Sequence, residues 1–172
     1  ATVTPLGPDL FVFTYTLNGQ AGSEIFSALG RGCPSLFGAP QDTSSHWFSP
    51  RRDGTGYSVQ MWPNHEFFAV FDYDHQGSPM HLTAERQGFA GRSGALPLQR
   101  LTGACPSCEY VAPVRQAAGV LERSLRDGQL ELVKLDVDFQ DSWPFAPARR
   151  TWSVIDWVEP LGGADSTQGC AP

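Results

Sequence analysis

Short runs of alternating apolar and polar residues, separated by turns rich in Gly and Pro, recur along the 172-residue chain. The run Gly56–Trp62 places Tyr57, Val59 and Met61 on the opposite side from the residues between them. Side chains alternate across a strand, whereas in a helix a face repeats about every 3.6 residues, so this spacing predicts an extended strand. The recurrence of such runs predicts an all-β chain.

The predicted strands follow one another with short connections, as in an antiparallel meander. They cover residues 10–17, 22–28, 46–48, 56–62, 67–73, 79–84, 96–101, 119–125, 129–137 and 150–158. Closing a meander removes exposed edges, so we expect a barrel-like domain, with a two-sheet β-sandwich as the alternative. The strand 67–73 is apolar on both sides, and we expect Phe67, Phe68 and Phe71 to fill the core.

Two dipeptides indicate β-hairpins. Asn18-Gly19 follows the run Leu10–Leu17, and this pair suits a type I′ turn because both positions need a positive φ. Asp127-Gly128 likewise lies between two alternating runs. The apolar residues of 114–126 also repeat at helical spacing, so a helix is the alternative there, but we favour the hairpin.

We divide the chain into three segments. Residues 1–32 form an N-terminal β-hairpin segment that either folds with its own chain or is exchanged with a neighbouring copy. Residues 33–161 form the main barrel-like domain, and residues 162–172 form a C-terminal tail whose composition is that of a loop.

Charge and hydropathy exclude two kinds of partner. The chain has 12 Lys and Arg against 18 Asp and Glu, a net charge of −6, whereas a nucleic-acid surface needs clustered basic residues. No run approaches the ~18 consecutive apolar residues of a membrane-spanning helix. We therefore expect neither a nucleic-acid partner nor a transmembrane segment.

Four cysteines, Cys33, Cys105, Cys108 and Cys170, leave two interpretations open. Cys105 and Cys108 form a CxxC pair, which occurs in zinc and redox sites, but zinc needs further ligands at short spacing and a redox pair normally opens a helix. We favour disulfides Cys105–Cys108 and Cys33–Cys170. Disulfides persist in oxidising compartments, so we expect a protein that is secreted or at the cell surface, with the periplasm as a further option.

Three segments resemble a known repeat. They are His46–Gln60, with Trp-Phe-Ser-Pro and Gly-Thr-Gly-Tyr; Phe68–Pro79, with Phe-Asp-Tyr-Asp-His-Gln-Gly-Ser-Pro; and Gly103–Cys108. Together they resemble an aromatic-rich repeat of secreted proteins from Gram-negative bacteria. The resemblance implies an all-β module appended to extracellular proteins, without an established catalytic role, and it supplies no active-site residues.

The N-terminal hairpin resembles the hairpin that closes the end of such a repeat, but here it precedes the main block. Its residues Phe11, Phe13, Tyr15 and Leu17 share one face. A hairpin displaced in this way can complete a neighbouring molecule by strand donation. We therefore expect a non-catalytic binding or structural module, in its sharpest form a subunit of an extracellular fibre or adhesive assembly that associates with itself.

Other functions are weighed against this one. Trp47, Trp62 and Trp143 adjoin turns and are our candidate binding residues for a glycan, a protein or a small ligand, which would suit a lipocalin- or avidin-like barrel. A secreted hydrolase is the third option, although no G-x-S-x-G motif occurs and no pair among the 18 acidic residues stands out. We therefore name no catalytic residue. The four His residues do not have the spacing of a metal site, so we expect no metal or other cofactor.

Overall fold

The computed structural model describes residues 1–7, 10–27, 35–36, 39–40, 43–74, 77–88, 94–103, 109–126, 129–141 and 148–161. The elements in these ranges are all β-strands. Their bounds are β1 (Thr2–Gly7), β2 (Leu10–Leu17), β3 (Gln20–Ser27), β4 (Ser35–Leu36), β5 (Ala39–Pro40), β6 (Ser45–Phe48), β7 (Gly56–Trp62), β8 (His65–Tyr73), β9 (Pro79–Gln87), β10 (Gly94–Thr102), β11 (Val114–Arg126), β12 (Gln129–Asp141), β13 (Ala148–Trp157) and β14 (Glu159–Pro160). The all-β prediction is confirmed.

The chain forms two compact units. One contains residues 1–31 together with 102–114, and the other contains residues 32–101 and 115–172. The predicted main domain, residues 33–161, includes the segment 102–114. The contacts of that segment place it in the smaller unit with the N-terminal strands.

The larger unit is a nearly closed antiparallel barrel. Its sheet order is β13-β12-β11-β10-β9-β8-β7-β6-β14, so from β6 to β13 each strand lies beside the next one in sequence. The strands at the two ends of this order, β13 and β14, are separated in sequence only by Val158. One continuous stretch of chain therefore pairs with β12 on one side and with β6 on the other, and the predicted meander closing into a barrel is confirmed over the predicted two-sheet sandwich.

Alternation along the strands builds the core of this unit. On β8, Phe68 and Val70 point inward and are buried, whereas Phe71 points outward and is 41% exposed. The prediction that Phe71 fills the core is wrong, because residues 67, 69, 71 and 73 lie on the outer face, and Phe67 is only partly buried there. The buried apolar side chains are Trp47, Tyr57, Val59, Met61, Phe68, Val70, Met80, Leu82, Ala84, Leu96, Leu98, Ala118, Leu121, Leu130, Val133, Leu135, Val137, Phe139 and Val158.

Strand β11 is the segment whose apolar residues repeat at helical spacing, and a backbone irregularity explains that pattern. Gly119 has φ +119°, and a Cβ there would overlap with the carbonyl oxygen of Asp136 on β12. Before it Ala118 points inward, and after it Leu121 and then Arg123 do. The inward set thus shifts by one residue, as at a β-bulge, and an extended strand acquires an apolar spacing of three. The preferred hairpin interpretation is confirmed.

The smaller unit contains a three-stranded sheet in the order β1-β2-β3, which we call the N-terminal sheet. Leu17 pairs with Gln20 across the turn, where Asn18 and Gly19 have φ values of 50° and 81°. Positive φ at both positions is what a type I′ turn requires, as predicted from the dipeptide. β1 was not predicted, because its Pro5 argues against a strand except at the edge of a sheet, which is where β1 lies.

Candidate functional site

The N-terminal sheet carries an aromatic face formed by Phe11, Phe13 and Tyr15 of β2 and Phe26 of β3. Phe11 stacks on Phe26 with ring centroids 5.4 Å apart, and the ring of Phe13 lies 5.5 Å from that of Tyr15. The Tyr15 hydroxyl donates a hydrogen bond of 2.8 Å to Glu24. The predicted assembly residues Phe11, Phe13 and Tyr15 therefore form one surface, and alternation places Leu17 on the same side.

None of the described residues of this unit is fully buried. Phe11 and Phe26 are about two-fifths exposed, and Ile25 on the opposite face is 70% exposed. An apolar surface of this kind on a soluble protein usually marks an interaction site.

The two edges of the N-terminal sheet differ. The edge strand β1 contains Pro5, which has no amide hydrogen, and its pairing with β2 is irregular between Pro5 and Gly7. The edge strand β3 contains no Pro and pairs regularly with β2 through all eight residues. Proline and bulges are devices that protect an edge from further pairing, so β1 is protected and β3 is not.

The three predicted binding tryptophans have different surroundings. Trp47 is 2% exposed, and its indole Nε1–H donates a hydrogen bond of 3.0 Å to the carbonyl of Thr43. Trp62 is half-buried on the outer face, with its ring 4.6 Å from that of His65. Trp143 lies outside the described residues. Trp47 is therefore part of the core, because its position on the short strand β6 directs it inward.

A buried cluster of hydrogen-bonded ion pairs links the turn between β6 and β7 to strands β8 and β13. The guanidinium of Arg52 donates hydrogen bonds of 2.6 Å to Asp72 and 2.7 Å to Asp156, and the hydroxyl of Tyr57 donates one of 2.5 Å to the same oxygen of Asp156. The carboxylates of Asp72 and Asp156 are almost inaccessible to solvent, whereas Arg52 is partly exposed. We call these four residues the Arg52 cluster.

The Arg52 cluster changes the protonation behaviour of its members. Burial, and then the hydrogen bond to Asp156, raise the pKa of Tyr57 far above its ordinary value. Burial lowers the pKa of Arg52, but the hydrogen bond to Asp72 and the negative charges of both carboxylates outweigh it, and the net pKa is raised. Both shifts reinforce the states that the two groups already hold at physiological pH, with Tyr57 neutral and Arg52 charged.

A second ion cluster, the Glu66 cluster, crosses the barrel interior. Glu66 on β8 and Arg123 on β11 are both inaccessible to solvent, and the Arg123 Nε–H donates a hydrogen bond of 2.8 Å to Glu66. Arg86 on β9 forms an ion pair with the other carboxylate oxygen of Glu66. Burial lowers the pKa of Arg123, which the charge of Glu66 partly offsets. Two guanidinium groups from two different strands thus contact the two oxygens of one buried carboxylate.

Among the described residues there is no group of three or more His, Cys, Asp or Glu that could hold a metal ion. His65 lies 3.5 Å from Glu85, His81 packs edge-on against Phe71 at 5.3 Å, and His46 is exposed. His75 and all four cysteines fall outside the described residues, so both predicted disulfides remain predictions. The described ranges also contain no helix that could cross a membrane.

The outer surface of the barrel carries large aromatic residues. Of these, Phe71 was predicted to lie in the core, and Tyr73 and Trp157 had no predicted role. Phe71 and Tyr73 on β8 are more than two-fifths exposed, and Trp157 on β13 is 53% exposed. A surface hollow of about 360 Å³ lies beside Phe71, with His46, Asp53 and Leu161 also in its wall. Strict alternation starting from the inward Asp72 would have found Phe71 and Tyr73.

Comparison of the chain with models of protein families, with curated proteins and with solved structures gave no match.

Proposed function

We propose that the protein is a non-catalytic extracellular interaction module whose copies associate with one another through the free edge of β3. The observation that carries this proposal is the contrast between the two edges of the N-terminal sheet. β1 is protected by Pro5, whereas β3 offers eight residues without a strand partner among the described residues. Adding a strand to such an edge supplies main-chain hydrogen bonds along its whole length.

The free edge is formed by alternate amides of β3. A two-residue turn closes on a hydrogen-bonded pair, here Leu17 and Gln20, so the amides of Gln20, Gly22 and Glu24 point toward β2. The amides of Ala21, Ser23 and Ile25 then point outward. These outward groups are the donors that a second chain would satisfy.

The composition of β3 suits pairing with a second copy of itself. Glu24 is its single charged residue. Antiparallel pairing about a two-fold axis at Ser23 would place Glu24 opposite Gly22 of the second copy, so the two like charges avoid direct opposition. The same axis keeps the aromatic faces of both sheets, each with Phe11, Phe13 and Phe26, on one side of the dimer. A contact that uses the same patch twice closes as a dimer.

The filled interior of the barrel also favours this proposal over a ligand-binding barrel. Its sheet is nearly closed, and in the described part of the chain large apolar side chains such as Phe68 and Leu121 fill its interior beside two ion clusters. This filling gives a lipocalin- or avidin-like ligand cavity less support than an interaction through the N-terminal sheet. Secretion remains an expectation from the cysteine content.

The test is a pair of substitutions at one position. Ser23→Pro removes an outward amide without removing a hydrogen bond to β2, whereas Ser23→Ala changes the side chain and keeps the amide. Light scattering of the full chain should give twice the chain mass for the unaltered protein and for Ser23→Ala, and the single-chain mass for Ser23→Pro. A single-chain mass for all three at high micromolar concentration would overturn the proposal.

A further inference from the structure

The barrel has a pocket where its last strand changes partner. Trp157, the last residue of β13, pairs with Leu132 of β12, and Glu159, the first residue of β14, pairs with Phe48 of β6. Val158 between them is buried, and its amide donates a hydrogen bond of 3.0 Å to the carbonyl of Glu131. The change of partner opens a surface pocket of about 360 Å³ that is lined by Pro50, Arg51, Glu131, Trp157, Val158 and Glu159. We call it the seam pocket.

Trp157 is the unusual member of this pocket, because tryptophan is normally largely buried. It is 53% exposed although it is paired with Leu132 at the end of β13. The period-two alternation places Asp156 and Val158 inside the barrel, so Trp157 can point only outward. A flat aromatic surface beside a proline in a concave site is suited to stacking against a ring.

The charges around the indole balance one another. Glu131 forms an ion pair with Arg126, and its carboxylate remains partly exposed. Arg51 and Glu159 are both exposed. Because Arg126 already neutralises Glu131, Arg51 and Glu159 leave one charge of each sign in the wall of the pocket. Neither an anion nor a cation is favoured, because either would meet a like charge. These side chains do offer donors and acceptors together, which is what a ligand with several hydroxyl groups requires.

We propose that the seam pocket binds a neutral sugar ring, with the C–H face of the pyranose on Trp157 and its hydroxyl groups hydrogen-bonded to Arg51, Glu131 and Glu159. The site lies wholly on the barrel, and its residues are different from those of the β3 edge. Sugar binding and self-association are therefore separable, and either one can fail without the other.

The experiment is a titration with neutral tetrasaccharides of β-1,4-linked glucose, β-1,4-linked N-acetylglucosamine and α-1,4-linked glucose, followed by NMR of the indole N–H signals. The Trp157 signal is identified by its loss in Trp157→Phe. At least one tetrasaccharide should shift that signal, and Trp157→Ala should weaken its binding about tenfold or more because the stacking surface is lost. The matched control is Ile155→Ala, which removes an equally exposed side chain two residues away and should leave the affinity unchanged.

Three results would overturn the proposal. One is a Trp157 signal that no tetrasaccharide shifts at millimolar concentration. Another is equal weakening by Trp157→Ala and Ile155→Ala, which would place the ligand elsewhere. The third is stronger binding of a charged probe, either choline or an oligogalacturonate, which would show that the pocket selects a charge instead of a neutral ring.

Discussion

The strands of the barrel and of the N-terminal sheet show the same alternating pattern, yet the two units bury their side chains very differently. Both contain alternating apolar residues and tight Gly-bearing turns. In the barrel, strands such as β8 and β12 bury one face, with Phe68 at 0% exposure, whereas no described residue of the N-terminal unit is fully buried. Strand formation and core formation are therefore separate properties of this chain, and alternation predicts the first one only.

The difference comes from closure. A curved sheet that returns to itself encloses its inner face, so alternate side chains pack against those of the opposite wall. An open sheet of three strands does not enclose either of its faces, and each face needs another surface to cover it. The barrel can thus be stable by itself, whereas the N-terminal sheet gains most from association.

The largest expected effect contrasts one phenylalanine from each unit. Phe68→Ala should lower the free energy of unfolding of the barrel by about 4 kcal/mol, because it leaves a cavity in a closed core. Phe26→Ala should change it by less than about 0.5 kcal/mol, because Phe26 packs only on exposed rings of its own sheet. Urea unfolding followed by tryptophan fluorescence reports the barrel alone, since all five Trp residues lie in that unit. Equal effects would mean that the two units unfold together.

The next contrast is between the inside and the outside of the barrel wall. Arg123→Met should cost about 3 kcal/mol, because it leaves the inaccessible carboxylate of Glu66 with fewer compensating charges. Arg149→Met breaks an exposed ion pair with Asp138 and should cost less than about 1 kcal/mol. The same urea titration measures both. If Arg123→Met were neutral, the Glu66 cluster would contribute nothing net to stability.

A third contrast uses glycines. Gly119→Ala should cost about 2 kcal/mol, because φ +119° is strained for any other residue and the new Cβ would meet the backbone of β12. Gly7→Ala in the N-terminal sheet has open space around it and should change stability by less than about 0.5 kcal/mol. A well-tolerated Gly119→Ala would mean that the backbone at this position can relax without opening the barrel.

Local signals were enough to predict most strands and both hairpins. Asn18-Gly19 determined the first turn because few residue pairs accept two positive φ values. The helical spacing in 114–126 was misleading for a definite reason, since the inward set of β11 changes at Gly119 and the strand acquires an apolar step of three. β1 could not be predicted from its residues, because Pro5 is acceptable in a strand only at the edge of a sheet and the edge position of β1 is known only from the structure.

The candidate sites could not be predicted in the same way. Asp156 lies 104 residues from Arg52, and barrel closure brings it to the turn that carries Arg52. Trp47 adjoins a turn, as a binding residue often does, but the inward register of β6 buries it. The pocket beside Trp157 follows from the partner change at Val158, which depends on which strands meet at the seam. These features depend on which distant strands pair with each other, and the local sequence around each residue does not predict that pairing.

The smallest contrast is between two tyrosines, one in each unit. Tyr57→Phe removes the hydrogen bond to Asp156 and should cost about 1.5 kcal/mol at neutral pH. Because burial raises the pKa of Tyr57 in the folded state, the unfolded chain loses this proton first as the pH rises above about 10. Unfolding is then increasingly favoured, and the unaltered protein should lose stability between about pH 10 and 11 more steeply than Tyr57→Phe. Tyr110→Phe, at an exposed position of the N-terminal unit, should follow the unaltered protein throughout. Parallel curves for all three proteins in denaturant titrations across this range would mean that the Tyr57 hydroxyl ionises as readily in the folded barrel as in the unfolded chain.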